Sequence, residues 1–172
     1  MHIVHLITSL KIGGAETALY RLLAHAEMRE HSHTILYLYD GPLRDSIEKL
    51  GYKTKKLSGF FCRYDPTLFL TTYFFIRSLK PDLVHTALWS ANILGRFVGL
   101  FLRLPVISDL HGRLSSEGAL RIISEKLTGR FSGALVAVGY DVARDYASLC
   151  KKEPFVIQNG IDVLDCREKA SI

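Results

Sequence analysis

The feature that most restricts the fold is a rhythm in which short β-branched and apolar runs alternate with segments whose apolar residues recur at helical spacing. The first run, MHIVHLIT from Met1 to Thr8, is apolar at consecutive positions, which suits a strand covered on both faces of a parallel sheet. After Gly13-Gly14, the residues Ala15, Ala18, Leu19, Leu22, Leu23 and Ala26 fall at i, i+3, i+4, i+7, i+8 and i+11, one face of a helix. The alternation then repeats. It predicts strands over 34–39, 52–57, 83–85, 106–109, 134–138 and 154–157, and helices over 42–51, 66–79, 87–104, 118–131 and 141–149. Such an order implies an α/β, Rossmann-like, doubly wound and mostly parallel sheet. One domain over 1–162 is expected, followed by an irregular tail over 163–172.

Composition narrows the classes without choosing among them. Of 172 residues, 48% are hydrophobic and 23% charged, as in an ordinary globular domain. The formal charge of +5 suits phosphates, nucleotides or an anionic membrane surface, and equally suits a mildly basic solvated surface; it supplies no case for nucleic acid. Cys62, Cys150 and Cys166 form no CxxC pair, and the seven histidines show no metal-ligand spacing, so no metal or cofactor is expected. No basic, apolar and small-residue pattern of a secretory leader stands before the first strand, so export is not expected, and the apolar stretches 68–79 and 97–104 are shorter than a membrane span. A cytoplasmic location is the expectation, with peripheral contact at the inner face of a membrane as an added one. Phe60, Phe61, Arg63 and Tyr64, with Phe69, Tyr73, Phe74, Phe75 and Arg77, form an aromatic and basic set suited to a lipid-linked acceptor or simply to core packing.

In a doubly wound sheet ligands bind beyond the carboxyl ends of the strands, so the turns after strands hold the candidate site residues. Gly13 and Gly14 let backbone amides approach a phosphate or a sugar oxygen at the positive end of a helix, and they also serve any tight turn. Glu16 stands in the first helical turn, where the helix dipole favours an acid. His85 ends a strand and is followed by Trp89 and Asn92; Asp109 and His111 end another, ahead of Gly112. Histidine can donate to a sugar hydroxyl or move a proton near neutral pH, or merely hold a loop. Asn159 opens an Asn-Gly turn after the last strand. Neither GxGxxG nor GxxxxGK[ST] is present, which argues against a nicotinamide enzyme and a nucleotide triphosphatase.

Five stretches in register, HIVHLITSLKIGGAETALYRLL from His2, KPDLVHTALWSANILGR from Lys80, PVISDLHG from Pro105, AVGYDVARD from Ala137 and VIQNGID from Val156, resemble the amino-terminal domain of family-4 glycosyltransferases of the GT-B fold. The resemblance covers nearly all of 1–162. It implies transfer of a sugar from a nucleotide-diphosphate sugar, with retention, to a glycan, lipid-linked or small-molecule acceptor. It implies that His111 is the cleft histidine beside the transferred sugar, the catalytic candidate. Gly13 and Gly14 would meet the donor phosphates and the acceptor, while His85, Trp89 and Asn92 would line the acceptor side. Asn159 would mark the start of the interdomain connection. Gly139 stands where the family usually has serine. The family's donor-binding carboxyl-terminal domain, with its Ex7E motif and basic pair, has no counterpart in the sequence, so the chain is expected to be inactive unless a partner domain completes it. A non-catalytic glycan, lipid-acceptor or protein-binding module is the alternative.

Overall fold

A computed structural model describes residues 1–57 and 66–160. In chain order these hold β1 (His2–Ser9), α1 (Gly14–Ala24), β2 (Ser32–Tyr39), α2 (Leu43–Lys49), β3 (Lys53–Lys56), α3 (Pro66–Leu79) and β4 (Leu83–Ala87). There follow α4 (Trp89–Leu102), β5 (Val106–Leu110), α5 (Ala119–Thr128), β6 (Ala134–Ala137), α6 (Tyr140–Cys150) and β7 (Phe155–Val156). The strands make one seven-stranded sheet in the order β3-β2-β1-β4-β5-β6-β7. Every pairing is parallel, so the expected doubly wound α/β architecture is present with no antiparallel edge among the described residues.

Side chains alternate across this sheet and build a core on each face. Ile7, Ile35, Tyr37 and Ala87 point to one face and meet Leu19 and Leu23 of α1 and Ile47 of α2. Val4, Leu6, Leu36, Leu38, Val84 and Val106 point to the other and meet Leu68 and Ile76 of α3 and Ala91 and Val98 of α4. Further along, Leu110, Leu135 and Ala137 pack with Tyr146 of α6. Burial on both sides explains why the strands read as continuous apolar runs.

The departures from the sequence expectation have local causes. Ala87 belongs to β4, because Leu88 takes φ 74° and ψ 148° and so delays the helix to Trp89. Ala26 lies outside α1: His25 is extended, and a separate 3-10 turn, Ala26–Glu30, follows. Leu22 is 41% exposed, since the buried stripe of α1 is the narrower set Ala15, Glu16, Leu19 and Leu23. Of the aromatic set, Phe69, Tyr73 and Phe75 pack against the core while Phe74 is exposed. Phe60, Phe61, Arg63 and Tyr64 fall outside the described residues, as do Cys62 and Cys166. Among the described residues no helix is long and apolar enough to cross a membrane.

Two contacts fix the edge where the candidate site sits. Gly41, after β2, lies against the Leu10–Lys11 peptide after β1, and a Cβ there would overlap the Leu10 carbonyl and the Lys11 amide. Deeper in, the fully buried guanidinium of Arg96 on α4 meets the carboxylate of Glu125 on α5 at 2.6 Å. Its Nε donates to Ser132 at 2.9 Å and Ser108 at 3.2 Å, and its Nη1 donates to Thr128 at 3.1 Å. Tyr146 also donates to Glu125, at 3.2 Å. Burial, with the Glu125 charge beside it, pushes the Tyr146 phenol above its ordinary range.

Gly41→Ala should lower the urea-unfolding free energy by about 1–3 kcal/mol, the usual cost of forcing an atom into a packed site. Arg96→Met should cost about 3–5 kcal/mol, because it strands the Glu125 carboxylate in the interior. Urea titrations of both variants against the wild type check these two losses.

Candidate functional site

The strand order reverses between β1 and β4: α1 leaves β1 toward one face and α4 leaves β4 toward the other. The carboxyl ends of these two strands therefore flank a crevice. The Thr8 hydroxyl accepts the Ala91 amide at 3.3 Å and ties the start of α4 to the end of β1.

On the β1 side, Leu10 is buried and anchored by backbone bonds to Tyr39 and Leu43, while Lys11 and Ile12 are exposed. Gly13 is the extended residue preceding α1, and a Cβ on it would overlap the Glu16 carboxylate. Glu16 is buried and accepts the Ser9 hydroxyl at 2.5 Å. The negative group lodged beside this helix N-terminus is thus the chain's own side chain. Gly14 faces open space, and it is there that a ligand has room to approach.

On the β4 and β5 side a cavity of about 250 Å³ opens. Trp89 and Asn92 of α4 line it, with Asp109 and Leu110 of β5 and His111 and Gly112 just beyond. Glu117, Arg121, Glu125 and Tyr146 complete the wall. The structure therefore brings together four of the residues singled out in the sequence, Trp89, Asn92, Asp109 and His111. Trp89 donates through Nε1 to Ser124 at 2.9 Å, and the Arg121 guanidinium lies 5.1 Å from its ring centre. Arg121 is itself paired with Glu117. Asn92 is buried and engaged at both ends: it accepts the Thr86 hydroxyl at 2.8 Å and donates to the Asp109 carbonyl at 2.9 Å. It shapes the wall more than it offers a free group.

Asp109 is the charge centre. Its carboxylate lies 2.9 Å from His85 Nε2 and 3.8 Å from His111 Nε2. Burial works to raise its pKa, but the imidazoles of His111 and His85 outweigh that and hold it well below the ordinary carboxylate range. His111 Nε2 is buried and has no hydrogen-bond partner within the protein. It is thus a buried polar atom left open on the wall of the cavity.

Five other candidates sit elsewhere. His85 is buried behind Asp109 and reaches the cavity only through that carboxylate. Gly13, Gly14 and Glu16 stand across the crevice on α1. Asn159 is exposed; the next residue, Gly160, accepts a bond from Arg21 at 2.8 Å, and Asp162 lies outside the described residues. The sequence reading missed Glu117, Arg121, Glu125 and Tyr146. Their acid-base-acid spacing, with steps of four residues, was the available signal, yet it equally describes a solvated helix face.

The architecture has solved counterparts. HepE of Anabaena, crystallised with UDP-glucose, superposes with a TM-score of 0.79 at 18% identity, over 99% of this chain and 50% of that one. A glycosyltransferase from Rickettsia africae gives 0.73 at 14% identity, covering 99% and 49%. The UDP-GlcNAc 2-epimerase of Methanocaldococcus jannaschii gives 0.66 at 16% identity, covering 92% and 45%. At these identities the likeness shows the fold, and the chain spans about half the length of those structures. No curated protein sequence matches it. The model of Glycosyltransferase Family 4 matches residues 12–163, most of the sequence, and the chain belongs to that family.

Proposed function

We propose that this chain supplies the acceptor-side half of a retaining glycosyl transfer from a nucleoside-diphosphate sugar. In that reaction an acceptor hydroxyl oxygen bonds to the anomeric carbon, the bond from that carbon to the diphosphate breaks, and the hydroxyl proton is released. The observation that carries the reading is the cavity beyond β4 and β5, where an indole stands beside carboxylates and the partnerless His111 Nε2. An aromatic face packs against the C–H face of a sugar ring, and carboxylates accept its hydroxyls. The family membership and the nucleotide-sugar complex of HepE support the same class of ligand.

Roles follow from placement. His111 donates to or accepts from a hydroxyl of the transferred sugar at the reaction centre. Trp89 is the acceptor platform, with Asp109, Glu117 and Glu125 as hydroxyl acceptors around it. The open space beside Gly14, at the start of α1, receives the diphosphate, whose developing charge favours the N–H donors of a helix N-terminus. Donor contacts beyond Gly14 come from outside these 172 residues, so the chain alone binds ligands weakly and does not turn over. The second reading, a binding module without chemistry, uses the same cavity.

Saturation-transfer NMR with UDP-glucose and a panel of mono- and disaccharides separates these roles. Trp89→Ala should weaken saccharide binding about tenfold, near 1.4 kcal/mol, with UDP-glucose unaffected. Gly14→Asp should do the reverse: an acid in the first turn leaves stability unchanged or slightly raised, but repels the diphosphate and weakens UDP-glucose about tenfold. Turnover by the isolated chain at ordinary enzyme rates would refute the half-site reading. Added donor-side domain that restores transfer supports the enzyme, and continued inertness with tight saccharide binding supports the module.

A further inference from the structure

Behind Asp109 a line of hydrogen-bonded imidazoles crosses the sheet. His85 Nε2 meets the Asp109 carboxylate at 2.9 Å, and His85 Nδ1 meets His5 Nδ1 at 2.9 Å. His5 Nε2 meets His33 Nδ1 at 2.9 Å, and His33 Nε2 meets the Met28 carbonyl at 2.8 Å. The registers explain the path: His5 is level with His85, His33 is level with Ile3, and Asp109 is level with Ala87. The line therefore runs diagonally over β5, β4, β1 and β2, from the cavity toward the opposite edge of the sheet. All three rings are buried.

Both ends of this line accept hydrogen bonds and donate none, since one is an ionised carboxylate and the other a carbonyl. Four contacts need four N–H protons, and three neutral imidazoles carry three. From this count we infer that the His85–His5–His33 line holds one proton beyond neutrality, that the charge rests on His85 against Asp109, and that His5 and His33 are positioning residues acting on the cavity through that pair. If the extra proton leaves, one contact must open, either as two lone pairs facing each other at 2.9 Å between His5 and His85 or as a lone pair against the Met28 carbonyl. The placement of the charge has independent support. Burial, then the neighbouring His85 and His33 imidazoles, pushes the His5 imidazole well below its ordinary value, against the pull of Asp109. Burial also pushes His33 down, against the pull of the Met28 carbonyl. The charge on the line therefore goes to the ring that touches the carboxylate.

Tautomers follow from the count. His85 carries both protons, while His5 and His33 each carry theirs on Nε2, donating to His33 and to Met28 respectively. The groups facing the line from its surroundings are few. Asp109 and His111 lie at the cavity end. His31, with His2 and the terminal amine, lies at the other end, where the edge of Tyr52 also packs on His33. From α1 the facing side chains are the apolar Leu19 and Leu23, and the Glu16 carboxylate is taken by Ser9. This inference does not depend on the sugar-transfer reading, and its readout is not activity.

The test is nitrogen-15 NMR of the imidazoles in the full chain, titrated from pH 5 to 9. In the wild type near pH 6.5, His85 should show two protonated nitrogens and His5 and His33 one each, on Nε2. Three neutral rings, or a charge on His33, would overturn the inference. His33→Leu removes the demand at Met28, so His5 can turn its proton toward His85, and two neutral rings then satisfy both remaining contacts. His85, two strands away, should then lose its second proton about one pH unit lower, a tenfold change in its protonation ratio. His33→Gln should restore the wild-type value, because an amide can donate to Met28 and accept from His5 without titrating. A simple packing role predicts no change at His85 in either variant, and that outcome also sinks the idea.

Discussion

Adjacent parallel strands whose helices leave toward opposite faces cannot both have their carboxyl ends covered, and in this sheet β1 and β4 are that pair. The rest of the molecule is arranged around the crevice that results. Backbone strain collects there: Leu88, the turn from β4 into α4, holds a positive φ of 74° that is costly for a bulky residue. So does close packing, with Gly41 pressed on the Leu10–Lys11 peptide. A strained turn on one side and a close approach of two backbones on the other leave this edge little room to move.

Two buried polar networks reach this crevice from opposite faces of the sheet, and β5 joins them. Ser108 points to the α4 face and bonds Arg96, Ser132 and Thr86. Asp109, the next residue, points to the α1 face and bonds His85. The first network ends at Glu125 and the second at Asp109, and both carboxylates line the same cavity. Polar groups buried in a small α/β domain cost stability unless fully paired. Here the pairing is nearly complete: of the three buried side-chain atoms without a partner among the described residues, Arg96 Nη2 belongs to the network behind the cavity, His111 Nε2 to its wall, and His31 Nδ1 lies away from it.

Much of the architecture was legible because it depends on local period. The boundaries of α3 at Pro66 and Leu79 follow from proline and from the Lys80-Pro81 break, and the strands follow from their apolar runs. The clustering of Trp89, Asp109 and His111 was also legible, because every turn after a parallel strand opens on the same edge. What stayed hidden depends on partners distant in the chain. His5 reads as one polar residue inside an apolar strand, and nothing local reveals that its neighbours are His33 and His85, 28 and 80 residues away. Arg96 likewise reads as a lone cation in ANILGRFVGL, with Glu125 29 residues on. Gly41 gave no sign of its contact because the reason lies in the facing backbone.

The net positive charge of the chain does not gather in the cavity. Asp109, Glu117 and Glu125 are set there against Arg121 alone among the permanent cations of its wall. Each of these carboxylates nevertheless has a basic partner, Asp109 in His85, Glu117 in Arg121 and Glu125 in Arg96, so charge on the wall is matched locally. The anion-compatible element is the α1 terminus, and there Glu16 already occupies the Gly13 side. Beside Gly14, by contrast, a Cβ would meet nothing within 4 Å, so no side chain fills that part of the crevice. The proposed division, an acceptor beside Trp89 and a donor beside α1, therefore rests on the shape of the crevice and on which groups line each side, more than on net charge.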